Sequence, residues 1–153
     1  MPETGEGERN MENETLGVKP ASGQIDGMDT IVVRLGVKSA MGDFRRSFRF
    51  RGKELASTYT YEGAYNKDDR GKDYTLYAVR GGFRVLVCSW SRWQGEVDRY
   101  YMIRRNDDFW EEPDWKALKG DVLSASEVAM VCPAVWNVAV ESGTVEDVPE
   151  DID

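Results

Sequence analysis

The chain has 153 residues, of which 41% are hydrophobic and 31% are charged, and this suits one globular domain with a real core. It has no run of about 18 apolar residues, so we predict no membrane-spanning helix. It has no histidine, which excludes Ser-His-Asp and Cys-His catalysis and any imidazole ligand for a metal. We therefore predict a non-enzymatic protein without a cofactor or a metal site.

The net charge of −8 is unevenly distributed along the chain. Residues 1–29 carry two basic and seven acidic residues, and residues 106–153 carry two basic and thirteen acidic residues. Residues 30–105, in contrast, carry sixteen basic and eight acidic residues. This separation of basic and acidic regions along the chain is a feature that indicates what kind of partner the chain binds. The acidic C-terminal part is expected to pair with the basic region, unless that region faces an outside partner.

Residues 1–28 are rich in Glu, Gly and Asn and have few apolar side chains. A segment of this composition buries too little surface to offset the entropy of ordering, so we predict a disordered acidic tail. The tail also lacks the apolar stretch of a secretion signal, and we therefore expect a cytoplasmic protein.

Three strands are predicted after the tail. Ile31–Leu35 is a short apolar run. Residues 43–51 alternate between aromatic and basic side chains, which is typical of a half-buried antiparallel strand. Gly52 is expected to turn the chain into a third strand over residues 55–61, with two tyrosines on one side.

Residues 74–104 form the longest stretch of strand-forming residues and contain two turns. Gly81-Gly82 lies between two apolar-rich arms, which predicts a two-residue hairpin because glycine adopts positive φ without steric cost. Gln94-Gly95 marks the second turn. The three predicted antiparallel strands span residues 74–80, 83–90 and 97–104.

A helix is predicted to begin at Ser124. Ser124 and Glu127 have the spacing of a capping box, and residues 128–139 carry apolar side chains at helical spacing. Pro133 is expected to kink or end this helix, and a strand over residues 134–140 is the alternative.

These elements predict an α+β fold with a curved antiparallel sheet of about six strands, arranged as a meander or a small open barrel, and a C-terminal helix packed on it. Residues 29–143 are expected to form a single domain, followed by an acidic tail over residues 144–153. Cys88 and Cys132 are predicted to be buried reduced thiols, with a disulfide as the alternative. The acidic cluster at residues 107–114 is expected to be a solvated loop.

Basic and aromatic side chains are interleaved along the predicted strands. Arginine among aromatic residues is typical of single-stranded nucleic-acid binding and also of hot spots in protein interfaces. Because the net charge of −8 disfavours phosphate binding, we predict that the sheet docks a protein partner or another copy of itself. The predicted interaction surface comprises Arg45, Arg49, Arg51, Arg84, Trp90, Arg92 and Trp93.

The chain contains FRFRGKELAS at residues 48–57, TLYAVRGGFRVLV at 75–87 followed by SRW at 91–93, and EDVPEDID at 146–153. Together these segments resemble the layout of the EXLDI family of small bacterial proteins. The resemblance implies a single small bacterial-type domain with a glycine-turn hairpin. The family has no assigned activity, so it implies no functional residue, and Ile152-Asp153 departs from its Leu-Asp-Ile ending.

Two other functional hypotheses remain open from the sequence. The acidic residues 106–153 favour an inhibitor that mimics nucleic acid, of the kind found among phage counter-defence proteins. A small-ligand-binding barrel or a single-stranded nucleic-acid binder is the other possibility. A ligand-binding barrel requires an enclosed pocket of about 300 Å³ or more in which polar groups converge.

Overall fold

The computed structural model describes residues 27–62, 69–93, 95–105, 121–149 and 151. The described chain is α+β, as predicted, with five strands followed by two helices. The strands are β1 (Asp29–Ser39), β2 (Gly42–Tyr61), β3 (Arg70–Val79), β4 (Gly82–Ser91) and β5 (Asp98–Met102). The helices are α1 (Ala125–Val131) and α2 (Pro133–Ser142).

The strands pair in chain order, each antiparallel to the next, which confirms the predicted meander. β5 also pairs with β1, over the three residues from Gly36 to Lys38. The sheet therefore closes into a ring of five strands, and the predicted open arrangement is wrong.

The predicted count of six strands is also wrong, because Gly52 does not turn the chain. β2 runs through this glycine for 20 residues, pairing first with β1 and then with β3. A Cβ atom at Gly52 would lie 2.9 Å from the carbonyl oxygen of Ala78 and 3.1 Å from the Phe50 ring. The glycine thus permits close approach inside a continuous strand. A β-bulge between Glu54 and Ala56 shifts the register of β2 against β3.

The hairpin between β3 and β4 is confirmed, but its loop lies one residue earlier than predicted. The register places Arg80 and Gly81 in the loop, and Gly81 has a φ of 89°. Gly82 already belongs to β4, and a side chain there would collide with the carbonyl oxygen of Leu123. Gly95, in the second predicted turn, has a φ of 88°.

Helix α1 begins at the predicted capping box. The hydroxyl oxygen of Ser124 accepts a hydrogen bond from the Glu127 amide at 3.1 Å, and the Glu127 carboxylate accepts one from the Ser124 amide at 2.7 Å. Pro133 occupies the first turn of α2, where its missing N–H removes no helical hydrogen bond. The chain therefore forms two helices where one was predicted, and the alternative of a strand over residues 134–140 is wrong.

Replacing Ser124 by alanine is expected to lower the free energy of unfolding by about 1 kcal/mol, because one amide of the first helical turn loses its acceptor. Urea denaturation followed by circular dichroism measures this change. Glu127→Gln is the control, since glutamine also accepts the reciprocal hydrogen bond of the box. If Ser124→Ala were as stable as the wild type, the hydroxyl of the capping box would contribute nothing to the free energy of unfolding.

Two apolar clusters lie on opposite faces of β4. Val85 and Val87 belong to the larger cluster, which fills the space between the sheet and the two helices. Leu86, one residue away, packs against the smaller cluster of Val33, Leu35 and Met102. Successive side chains of a strand point to opposite faces, so this alternation separates the helix-covered face from the face turned away from the helices.

No helix in the described ranges is long and apolar enough to span a membrane.

The predicted tail over residues 1–28 lies outside the described residues except for Gly27 and the buried Met28. The predicted acidic loop at 107–114 also lies outside them. Val145, in the predicted C-terminal tail, is buried and belongs to the larger cluster. The predicted domain boundaries stay predictions.

Candidate functional site

The residues of the predicted interaction surface do not form one patch. Arg49 and Arg51 lie on the part of β2 that pairs with β1, opposite Val32 and Thr30. Arg84 donates a hydrogen bond from its guanidinium to the carbonyl oxygen of Asp121 at 3.1 Å. Its guanidinium carbon also lies 5.6 Å from the centre of the Phe50 ring, and Phe50 stands between Arg49 and Arg51 in β2.

The other predicted residues lie nearer to one another. Trp90 and Arg92 are in contact, with the guanidinium carbon 5.6 Å from the centre of the indole ring. Trp93 contacts Arg70 in the same way at 5.2 Å. The structure thus brings together only part of the predicted surface, at the end of β4.

Register pairing brings further residues to the same end of the sheet. One line of directly opposed residues crosses β2, β3, β4 and β5, and it comprises Tyr59, Asp73, Cys88 and Tyr100. A second line, two residues along, comprises Tyr61, Gly71 and Trp90. Directly opposed residues, and residues two apart along a strand, share a face of the sheet. Both lines lie on the face of β3 and β4 that is turned away from the helices.

The side chains of these two lines surround an open depression of about 410 Å³, which we call the aromatic groove. Its lining residues are Tyr59, Tyr61, Asp73, Cys88, Trp90, Arg92, Asp98 and Tyr100.

The aromatic rings on one wall of the groove contact one another and solvent. The Tyr59 and Tyr61 rings have centres 5.2 Å apart, and the Tyr61 and Trp90 rings meet edge to face at 6.1 Å. Tyr59 and Tyr61 are nevertheless 59% and 49% exposed. Large exposed aromatic surface of this kind marks binding sites more often than scattered apolar residues do.

Trp90 is held in place from two sides. A Cβ atom at Gly71 would lie 2.6 Å from the Cζ2 atom of Trp90, so the indole packs directly over the glycine. The indole N–H donates a hydrogen bond to the Asp73 carboxylate at 3.1 Å. The ring is therefore preorganised, and a ligand would not have to order it.

Two carboxylates and one guanidinium line the groove, so the lining carries a formal charge of −1. Asp73 accepts from the Trp90 indole N–H, and Asp98 accepts from the Ser91 amide at 3.2 Å. Both donors are neutral, so neither hydrogen bond cancels the charge of its carboxylate.

Two of the lining groups, Tyr100 and Cys88, are polar but uncharged. Burial raises the pKa of Tyr100 to about 12, and burial also raises the pKa of the free Cys88 thiol above its usual range. Both groups therefore stay protonated at neutral pH. Arg45 lies beside them, with its guanidinium 4.4 Å from the centre of the Tyr100 ring and 2.8 Å from the Asp43 carboxylate. Its side chain is 13% exposed and borders the groove.

The structure also places Arg104 and Arg105, which follow β5, against the C-terminal part of the chain. Asp121 accepts from Arg104 at 2.9 Å, and Glu127 accepts from Arg105 at 3.3 Å. Together with the hydrogen bond from Arg84 to the Asp121 carbonyl, these contacts agree with the expected pairing between the acidic C-terminal part and the basic sheet.

A larger depression of about 460 Å³ lies between α1 and residues 146–149. Its lining is mainly small or aliphatic, and its one aromatic residue, Trp136, is buried in the core. No group of three or more Cys, Asp or Glu side chains suited to a metal occurs within the described residues. The aromatic groove is therefore the better candidate site, although it is slightly smaller.

No protein-family model matches the chain, and no significant match was found among curated proteins or solved structures. The resemblance to the EXLDI family stays a prediction. Sequence reasoning missed six lining residues of the groove, namely Tyr59, Tyr61, Asp73, Cys88, Asp98 and Tyr100. The one signal for them was the pair of tyrosines predicted on one side of a strand.

Proposed function

We propose that this chain is a non-enzymatic protein-interaction module that binds its partner through the aromatic groove. The observation that carries the proposal is a cluster in which Trp90 is preorganised and Tyr59 and Tyr61 stay open to solvent, beside Arg92. Tyrosine, tryptophan and arginine are the residues most enriched among hot spots of protein interfaces.

A protein partner suits the groove better than a nucleic acid. Single-stranded nucleic acids also stack on aromatic rings, but their binding depends on neutralising phosphates with Lys and Arg. The lining charge of −1 and the chain's net charge of −8 both oppose that neutralisation. A small ligand suits it less well too, because such ligands are usually enclosed.

The acidic-inhibitor hypothesis is the weaker alternative. It requires acidic residues of the C-terminal part to be presented to a basic enzyme. Asp121 and Glu127 instead bind Arg104 and Arg105 of the same chain.

Removing both exposed tyrosines, with Tyr59→Ala and Tyr61→Ala in one chain, is expected to weaken partner binding by roughly 30-fold or more. Interface hot spots cost about 2 kcal/mol or more on truncation, which is the basis of this figure. The measurement starts with capture of partners from a lysate on the immobilised full chain. The affinity of each retained protein for each variant is then determined by calorimetry.

Phe44→Ala is the matched control, because Phe44 is also a largely exposed aromatic residue but does not line the groove. Circular dichroism verifies that each variant is folded. Light scattering across a concentration series tests whether the partner is a second copy of the chain. Retained proteins that bind the double variant as tightly as the wild type would contradict the proposal.

A further inference from the structure

Carboxylates and aromatic faces meet in the aromatic groove, and this combination favours a cation. Asp73 contacts Trp90 directly through the indole hydrogen bond, and Asp98 lines the same depression. The face of an aromatic ring carries negative electrostatic potential, which attracts ammonium and guanidinium groups within about 6 Å.

The chain already contains two such contacts at this place. The Arg92 guanidinium carbon lies 5.6 Å from the centre of the Trp90 ring, and Arg45 lies 4.4 Å from the centre of the Tyr100 ring. Trp90 and Tyr100 thus already contact a guanidinium of the chain itself, and the rings of the groove that stay exposed are Tyr59 and Tyr61. Arg45 is bound to Asp43 by two hydrogen bonds and is held at the edge of the groove.

We infer that the aromatic groove receives an arginine side chain from a basic segment of the partner protein, an inference that rests on the proposed function. The lining charge of −1 and the net charge of −8 are complementary to such a segment, and the net charge also attracts it before contact. An acidic segment or a phosphate would be repelled by the net charge of the chain before contact and by the carboxylates of the groove at contact.

Arginine suits this groove better than lysine for two reasons. Its planar guanidinium stacks on an aromatic ring, while a lysine ammonium is compact and more strongly hydrated. Its five N–H donors can also reach a carboxylate while the plane of the group lies against a ring. Arg92 already lies over Trp90, so the exposed Tyr59 and Tyr61 provide the open rings. Asp73 and Asp98 provide the carboxylates.

The test uses the full chain labelled with ¹⁵N and follows the indole N–H resonance of Trp90 by NMR, assigned with Trp90→Phe. Hexa-arginine, hexalysine, hexaglutamate and a twelve-residue oligothymidylate are titrated at one ionic strength. Hexa-arginine is expected to shift the Trp90 resonance in a saturable way and to bind more tightly than hexalysine. Hexaglutamate and oligothymidylate are expected to leave it unmoved.

Asp73→Asn with Asp98→Asn tests the role of charge, because asparagine keeps an oxygen acceptor for the indole and for the Ser91 amide. This double variant is expected to bind hexa-arginine about tenfold more weakly, as expected for removing two charges from a partly desolvated site. Glu54→Gln with Glu141→Gln removes two charges outside the groove and is expected to change the affinity by less than about twofold, because salt screens distant charges.

Three results would overturn the inference: no saturable shift with hexa-arginine, a shift with oligothymidylate or hexaglutamate instead, or an equal loss of affinity in both double variants. If a captured partner still depended on Tyr59 and Tyr61, the proposed function would stand and only the cationic class would be wrong. A specific shift with hexa-arginine, in the absence of any partner that depends on these tyrosines, would support the cation site and contradict the interaction module.

Discussion

Replacing Trp136 by alanine is expected to lower the free energy of unfolding by about 3–5 kcal/mol, the usual cost of removing a large aromatic side chain from a core. Trp136 is 5% exposed and lies between α2 and the sheet. Its ring meets the fully buried Phe83 ring edge to face, with centres 5.4 Å apart. The substitution therefore removes buried apolar area, one favourable aromatic pair and the contact that joins α2 to β4.

Chemical denaturation of the full chain measures the loss, and Trp93→Ala is the matched control. Trp93 is 51% exposed and its described ring contact is with Arg70, so its removal is expected to cost less than about 1 kcal/mol. Equal losses for the two tryptophans would show that the helices do not pack on the sheet in the way described.

Replacing Gly71 by alanine is expected to lower the free energy of unfolding by about 1–3 kcal/mol, the usual cost of overpacking, and also to abolish partner binding. The new methyl group would lie 2.6 Å from the Trp90 ring and would collide with the carbonyl oxygen of Thr60. The carbonyl belongs to the backbone of the neighbouring strand β2, so relieving that collision would shift β3 against β2. The collision with the indole would be relieved by rotation of the Trp90 side chain. Trp90 would then leave its place over the glycine and lose its hydrogen bond to Asp73.

Gly81→Ala is the control for this substitution. No atom lies within 4 Å of a Cβ atom at Gly81, and its φ of 89° gives an expected backbone cost of about 1–2 kcal/mol without any effect on the groove. Denaturation and partner affinity are measured for both variants. A Gly71→Ala chain that binds its partner with wild-type affinity would contradict the assigned role of Trp90.

Local sequence signals predicted the local features of the fold. The capping box at Ser124, the interruption at Pro133 and the glycine hairpin between β3 and β4 depend on a few neighbouring residues, and each is present. The turn predicted at Gly52 was wrong, because the sequence does not distinguish a glycine that ends a strand from a glycine that allows a neighbouring strand to approach closely. What separates them is the approach of Ala78, which lies on another strand.

The candidate site was harder to predict, because it depends on register across four strands. Alternation along β2 correctly placed two tyrosines on one side, but nothing local aligns Tyr59 with Asp73 and Tyr100. That alignment includes the register shift at the β-bulge between Glu54 and Ala56. The residues of the predicted interaction surface were chosen because they are arginine or tryptophan, without knowledge of where the strands would place them. The structure places Arg49 and Arg51 away from Trp90 and Arg92.

Hydroxyl-radical footprinting of the chain with and without its captured partner tests most directly where the partner binds. Tyr59, Tyr61 and Trp90 report on the aromatic groove. Two exposed residues are internal controls in the same molecule. Met41, at the turn between β1 and β2, is 88% exposed, and Phe44, just after the turn, is 67% exposed. We predict that the partner slows oxidation of the three groove residues and leaves the two controls unchanged. Protection of Met41 and Phe44 with an unprotected groove would contradict the proposed binding site.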